Sequence, residues 1–317
     1  MLLVKLLDMM IFREYHSLRQ RRLAVPPLDV KGTQLQVDYR DDDVIVSPPA
    51  KCGTTVFLHL VQQLRARGAE PTFDDQMDII WWPSQAKLLQ LHDPQAEQAW
   101  HPRLFKSHSP FHSLPRGLRK VYVLRDPKDA LLSLAKFSPS LLGLPQHRTS
   151  VRSLLDMCHF YLLPAMQDLV VWWQHRHDPD VFFACYTEVL DAKSALITRL
   201  ASFLAIPMAE VNVHLIADQT SHATMSSLQH RHRFDDHRVA LALARLGGWH
   251  LDVTQLTGKV RHDGGQAGCG LVELPWVVDV LVRIMWFVWV QGPTGHRDVA
   301  SMRATLQRER AERDGIV

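Results

Sequence analysis

Cysteine is scarce in this chain: Cys52, Cys158, Cys185 and Cys269 stand far apart and no C-x-x-C pair exists. That argues against a zinc site or a dithiol redox motif and suits a reducing compartment, so the expected location is cytoplasmic. Histidines are frequent, and His222, His230, His232 and His237 lie near one another, but no cysteine or carboxylate spacing completes a ligand set. No metal is therefore expected. Long apolar runs are also few. The opening MLLVKLLDMMIF is short, carries Lys5 and Asp8, and lacks a small-residue cleavage site, which makes it a poor signal peptide. Its Leu3, Leu6, Leu7 and Met10 share one helical face, the pattern of a helix packed on a domain. The run from Leu271 to Val290 is broken by Glu273, Pro275, Asp279 and Arg283; it reads as a buried amphipathic helix starting near Pro275, and no membrane span is expected. Internal repeats, low-complexity tracts and basic runs are missing too, which removes solenoids and nucleic-acid binders.

What is present is ordinary globular material. A hydrophobic share of 46% against 22% charged residues, over 317 residues, supplies ample core for one large α/β domain or two small ones. The net charge of +3 suits an anionic small ligand. The densest signal is VIVSPPAKCGTT, Val44 to Thr55. Val44, Ile45 and Val46 form a β-branched run that reads as a buried strand, Pro48 and Pro49 open a sharp loop, and VFLHLVQQLRARG reads as a helix ending at Gly68. Strand, glycine loop and helix make a phosphate cradle, because the first N–H groups of a helix lack internal partners and its dipole favours an anion. Gly53 allows close backbone approach, Thr54 and Thr55 add hydroxyls, and Lys51 adds a full charge. The order is not that of a Walker A loop, whose lysine follows its second glycine.

Two further blocks carry chemistry. In PRLFKSHSPF, Lys106 and His108 lie just past a short strand, Leu104–Lys106. A histidine can take a proton near neutral pH, although alone it reads more readily as one of many surface histidines. In KVYVLRDPKDALLSLAKF, the strand Lys120–Leu124 delivers Arg125 to a turn capped by Asp126 or Asp129, with Ser133 on the helix that follows. Arginine suits bidentate phosphate contact and serine adds a donor; the plainer reading is an Arg–Asp pair that stiffens the turn. Further along, Leu154–His175 reads as a long helix with a break at Pro164, Val181–Cys185 as a strand, and Ala192–Leu204 as a helix. Strands alternating with helices predict an α/β fold: a single P-loop-like domain with a central parallel β-sheet flanked by helices on both faces. Ligands bind at the edge where the strands end.

Together the three blocks resemble the cytosolic-type sulfotransferases, whose pattern runs K-[SC]-G-T-T, F-K-[ST]-H-x-P and Y-V-x-R-[DN]-x-K-D-x-x-x-S in that order. CYTEVL (185–190), DQTSHATM (218–225) and GKVRHDGGQAG (258–268) extend the likeness. The resemblance implies transfer of a sulfuryl group from 3′-phosphoadenosine 5′-phosphosulfate (PAPS) to an acceptor hydroxyl or amine, without a metal. It implies that His108 is the general base, that Lys51 acts on the leaving bridge oxygen and that Lys106 steadies the sulfonyl oxygens. Lys51, Cys52, Gly53, Thr54 and Thr55 would hold the 5′-phosphate. Arg125, Ser133 and Arg261, with Gly264 and Gly265, would hold the 3′-phosphate, and Tyr186 and Thr220 would lie on the adenine side. The chain departs from the family at Val56, where a tryptophan usually follows G-T-T, at His222 in place of a phenylalanine, and at Asp263 in the last loop. A base–aromatic stack contributes ~1–3 kcal/mol, so lowered cofactor affinity is expected. A catalytically impaired nucleotide-binding protein and a P-loop-type kinase using ATP are the alternatives.

The expected organisation is a helical N-terminal extension over 1–39, a sulfotransferase domain over 40–300 and a C-terminal helical tail over 301–317. The expected acceptor is small and partly apolar, met by the loops Phe73–Gln90 and Ser138–Ser150, with Trp81, Trp82, Phe111 and Phe137 as candidate pocket walls or, equally, as core. Expected partners are that small molecule and, at most, a second copy of the chain as a homodimer; nucleic acid is not expected.

Overall fold

The computed structural model describes residues 37–69, 73–89, 93, 96–141, 150–227, 231–234, 237–247, 250, 251, 274–313 and 315. Among the described residues, four short strands form one parallel sheet in the order β2-β1-β3-β4: β1 Val44–Val46, β2 Leu104–Lys106, β3 Arg119–Leu124 and β4 Val181–Cys185. Register pairs Val46 with Lys106 on one side and with Val121 on the other, and Leu124 with Cys185. Every strand therefore ends at the same edge. From β1 the chain crosses outward to β2, and from β3 outward to β4, so a crevice opens beyond the ends of β1 and β3, where α/β sheets bind ligands.

The strands are buried on both faces, which is why they read as apolar runs. Val44, Val46, Val121, Val123, Phe182 and Ala184 turn to one core, packed by α1 (Thr54–Arg65). Helices α5 (Lys193–Phe203), α6 (Val213–Gln219) and α7 (His237–Gly247) complete that side. Tyr122, Leu124, Phe183 and Cys185 turn to the other. There they meet α2 (Pro127–Leu141), α3 (Val151–Met157), α4 (Leu163–Gln174), α8 (Trp276–Trp286) and α9 (Val299–Arg313). Helix α1 is buried over nearly its whole length. Its Arg65 lies in the interior and donates to Gln62, Gln98 and the carbonyls of Ile79 and Pro102.

The break expected at Pro164 takes a specific form. Residues Cys158–Leu162 form a π-turn between α3 and α4, and the Leu163 N–H donates to the Cys158 carbonyl five residues back. Proline has no N–H and crowds the carbonyl four residues earlier, so the helix widens by one residue just before it. The same happens at Phe287–Gln291, just before Pro293.

Helix α8 starts after Pro275 as expected, with Val278, Val282, Met285 and Trp286 buried. Its opposite face differs from the expectation of a buried helix: Trp276 is 78% exposed and Ile284 55%. By length and composition alone, Val151–Gln174 and Trp276–Arg313 are each apolar enough to cross a membrane. Helix α9, whose range overlaps the expected C-terminal tail, is anchored. Met302 and Leu306 are buried, and Arg310 reaches Glu188 and the Phe183 carbonyl. The N-terminal stretch, the Ser138–Ser150 loop over 142–149, and Arg261, Gly264 and Gly265 lie outside the described residues.

Candidate functional site

The loop after β1 begins the site. Lys51 has φ 66° and Gly53 φ 104°, both left-handed. A Cβ on Gly53 would stand 2.7 Å from Cδ2 of Tyr186, so this position requires glycine for two reasons: its dihedral and the aromatic ring pressed against it. Gly53 caps α1 without a side-chain hydrogen bond, so no N-cap side chain satisfies the opening N–H groups of that helix. Thr54 is buried and its Oγ1 has no hydrogen-bond partner among the described residues; the same holds for Nε of Arg125. Unpaired buried donors facing a glycine loop fit an anion with several acceptor oxygens.

Parallel register brings the other groups here. Lys106 ends β2 beside Val46, and the chain turns out through Ser107, whose N–H donates to the Val46 carbonyl. His108 then meets the β1 loop: its Nδ1 lies 2.7 Å from the Pro48 carbonyl. A carbonyl only accepts, so Nδ1 carries the hydrogen, and in the neutral ring the lone pair then lies on Nε2. Trp82 contacts both neighbours, with the Lys106 ammonium 4.0 Å from its ring centroid and the His108 ring edge-on at 5.5 Å. The Lys51 ammonium sits 3.8 Å from the centroid of Phe137 on α2. Two cations and an imidazole thus gather around the β1 loop and the end of β2, and two aromatic rings hold the cations.

Arg125 follows β3, and its guanidinium donates from Nη1 to the Lys51 carbonyl at 2.8 Å while lying 4.5 Å from the Tyr186 ring centroid. Asp126, the cap that the sequence left open against Asp129, accepts from the Lys128 N–H at 2.8 Å. Burial pushes the Asp126 carboxyl above its usual range despite that bond. Lys128 pairs with Asp279 and so ties α2 to α8. Ser133 lies partly buried on α2. The Cys52 thiol is buried and pushed up to about 11, mainly by burial, so it stays protonated and contributes its backbone rather than its sulfur.

Some candidates stand elsewhere. Thr220 is buried at the end of α6, and its hydroxyl donates to the Ile216 carbonyl at 2.7 Å. His222 is exposed at the start of the short helix His222–Ser226, and Val56 packs beside Phe73, Met225 and Phe234. Trp81 is core, edge-on to Phe105 and paired with β2 as an isolated bridge, and Phe111 stacks on His175 at 4.3 Å. Of the four aromatic residues considered as pocket walls, Trp82 and Phe137 face the catalytic candidates. Sequence reasoning missed Tyr161, whose hydroxyl donates to the Ala50 carbonyl. Only the proline at 164 hinted that the helix would deform there.

The sulfotransferase domain family matches residues 41–240. The chain belongs to that family. The match takes in β1 to β4 and every described candidate residue. Among curated proteins, the chain is 24% identical to the amine sulfotransferase of Oryctolagus cuniculus over 197 residues, covering 59% of this chain and 64% of that one. It is 25% identical to sulfotransferase 4A1 of Homo sapiens over 210 residues, covering 61% and 69%. Solved structures share the fold. Retinol dehydratase in complex with retinol and PAP has a TM-score of 0.58 at 18% identity, over 80% of this chain and 82% of that one. Mouse sulfotransferase SULT7A1 complexed with PAP has a TM-score of 0.56 at 16% identity, over 83% and 89%.

Proposed function

We propose that this chain transfers a sulfuryl group from PAPS to a hydroxyl or amine of a small, partly apolar acceptor. The observation that carries the reading is the meeting of His108 with the β1 loop through the Pro48 carbonyl, which sets a base with its Nε2 lone pair beside the Lys51 cradle. In this reading His108 takes the acceptor proton, worth ~10²–10⁴-fold in rate. A bond forms between the acceptor atom and sulfur, the sulfur–bridge oxygen bond breaks, and the electron pair leaves on the 5′-phosphate. Lys51 stabilises charge growing on that bridge oxygen and Lys106 the sulfonyl oxygens. Cys52, Gly53, Thr54 and Thr55 hold the 5′-phosphate through N–H and hydroxyl groups. Arg125, Ser133, Arg261, Gly264 and Gly265 are assigned to the 3′-phosphate, Tyr186 to the adenine side, and Thr220 to a supporting place behind it.

The domain is proposed to run from 40 to 300, since α8 shares a core with α2 and α3. A cytoplasmic protein without a membrane span fits the packing of α3, α4 and α8, each of which buries a stripe in that core. One relative is named an amine sulfotransferase, which supports an amine among the possible acceptors. No group of three or more metal-binding side chains occurs among the described residues, and the proposed reaction uses none. Calorimetry with adenosine 3′,5′-bisphosphate, with ADP as control, tests the reading. Tight bisphosphate and weak ADP binding is expected. Equal binding of the two would favour the kinase, and binding without turnover the impaired protein.

A further inference from the structure

An anion cradle built from backbone N–H groups works only if the neighbouring carbonyls point away from the anion. In the β1 loop two consecutive carbonyls are tied back. The Lys51 carbonyl accepts from Arg125 at 2.8 Å, and the Ala50 carbonyl accepts from the Tyr161 hydroxyl. Lys51 needs such restraint, because its φ of 66° is unfavourable for a side chain with a Cβ and persists only where the surroundings fix it. Loop contacts supply part of this, with the Cys52 N–H donating to the Pro49 carbonyl at 3.1 Å. Solid packing supplies less: a pocket lined by Pro49, Cys52, Tyr122, Arg125, Tyr161 and Trp286 opens against the loop.

Tyr161 reaches the loop from the π-turn. The extra residue in Cys158–Leu162 changes which side chains of this long helical run face the sheet edge. Its oxygen also lies 4.0 Å from Sγ of Cys52. Burial and the Cys52 thiol hold the phenol well above its usual range, so the hydroxyl keeps the hydrogen it donates.

We infer that Tyr161 is a positioning residue for the phosphate loop, acting through the Ala50 carbonyl to aim the N–H groups of Gly53 and Thr54 and the Lys51 ammonium at the 5′-phosphate. The inference rests on the reading of that loop as the PAPS cradle. It concerns a residue outside the motifs that define the site, on an element that donates nothing to the anion itself.

The test is Tyr161→Phe, which removes one hydroxyl and keeps the ring. Calorimetry on the full chain would use adenosine 3′,5′-bisphosphate, adenosine 5′-phosphate and adenosine. Loss of one hydrogen bond that aims the loop should weaken both nucleotides by about tenfold and by the same factor, since both present a 5′-phosphate, while adenosine is unchanged. Amide exchange at residues 51 to 54 should quicken in the ligand-free variant, with exchange in β3 and β4 unaltered. Both nucleotides binding within twofold of wild type would overturn the role. So would a large fall in melting temperature with all amides exchanging faster, which would make Tyr161 a general structural residue. Wild-type protein that fails to bind the bisphosphate would instead overturn the loop reading, and the role of Tyr161 with it.

Discussion

Replacing Gly53 by alanine tests the geometry of the cradle at its tightest point. At φ 104° a Cβ is disfavoured by local sterics alone, an effect of about 1–2 kcal/mol per residue. The new methyl would also stand 2.7 Å from Cδ2 and 3.2 Å from Cε2 of Tyr186, so ring or loop must move. The ring cannot yield without cost, because the Arg125 guanidinium lies on it at 4.5 Å and donates onward to the Lys51 carbonyl. Any shift of the ring therefore reaches the loop that it supports. A displacement of about 1 Å at a reacting centre can cost about 10²-fold. The expected outcome for Gly53→Ala is a roughly hundredfold loss in bisphosphate affinity and kcat, and a fall in melting temperature of about 2–4 °C for each kcal/mol lost. Gly117→Ala is the control: its φ is 77° but a Cβ there meets nothing within 4 Å. It should lower the melting temperature slightly and leave binding intact. If Gly53→Ala binds the bisphosphate within threefold of wild type, the cradle is not where this argument puts it.

The remaining predictions concern the base and the far end of the fold. His108→Ala should reduce kcat by about 10²–10⁴-fold with bisphosphate affinity unchanged; full transfer activity in that variant would remove His108 as the base. Glu188 accepts from the Cys185 N–H, Arg199 and Arg310. Burial alone would raise its pKa, but the two guanidinium groups and these bonds outweigh it and hold the carboxyl below its ordinary 4.5. Its stabilisation is therefore present above that value and is lost as pH falls through the lower folded value. Glu188→Gln should cost about 1.5–3 kcal/mol at neutral pH by taking the charged partner from two half-buried guanidinium groups. It should also flatten the acid fall of the melting temperature, followed by circular dichroism from pH ~5 to ~3. A variant that melts like wild type would mean that the cluster contributes no net stability.

Much of the sheet was legible because its signal is local. VIV, KVYVL and VFFAC are short apolar runs flanked by polar turns, and a strand buried on both faces needs nothing more. The corner between β1 and α1 was legible because a β-branched run, two prolines and Gly53 precede an apolar helical pattern. What stayed hidden depends on three-dimensional meeting points. The pairing of His108 with Pro48 follows from Val46 lying opposite Lys106, a register that no sequence spacing states. The same holds for Trp81 and Trp82, adjacent in sequence yet split between core and site. Tyr161 was the least legible. Proline announces a break in a helix, but the extra residue that redirects a tyrosine is a response of the surrounding backbone.

Arg125 shows why the phosphates of the proposed co-substrate are not read independently. A guanidinium has five N–H donors in a rigid plane. One side of the plane is committed to the Lys51 carbonyl, while Nε is buried and unpartnered among the described residues. In the proposed site the same side chain therefore braces the loop that grips the 5′-phosphate and offers a donor toward the 3′-phosphate. A ligand with both groups, at the separation fixed by one ribose, satisfies the loop and the orphaned donor together. ADP carries its phosphates on one side of the sugar and reaches only the loop. Leaving a buried donor unpaired costs ~1–3 kcal/mol, which corresponds to a factor of roughly 5 to 150 in affinity. On the proposed reading that discrimination comes from Arg125 and would not require the adenine-stacking aromatic rings that Val56 and His222 replace.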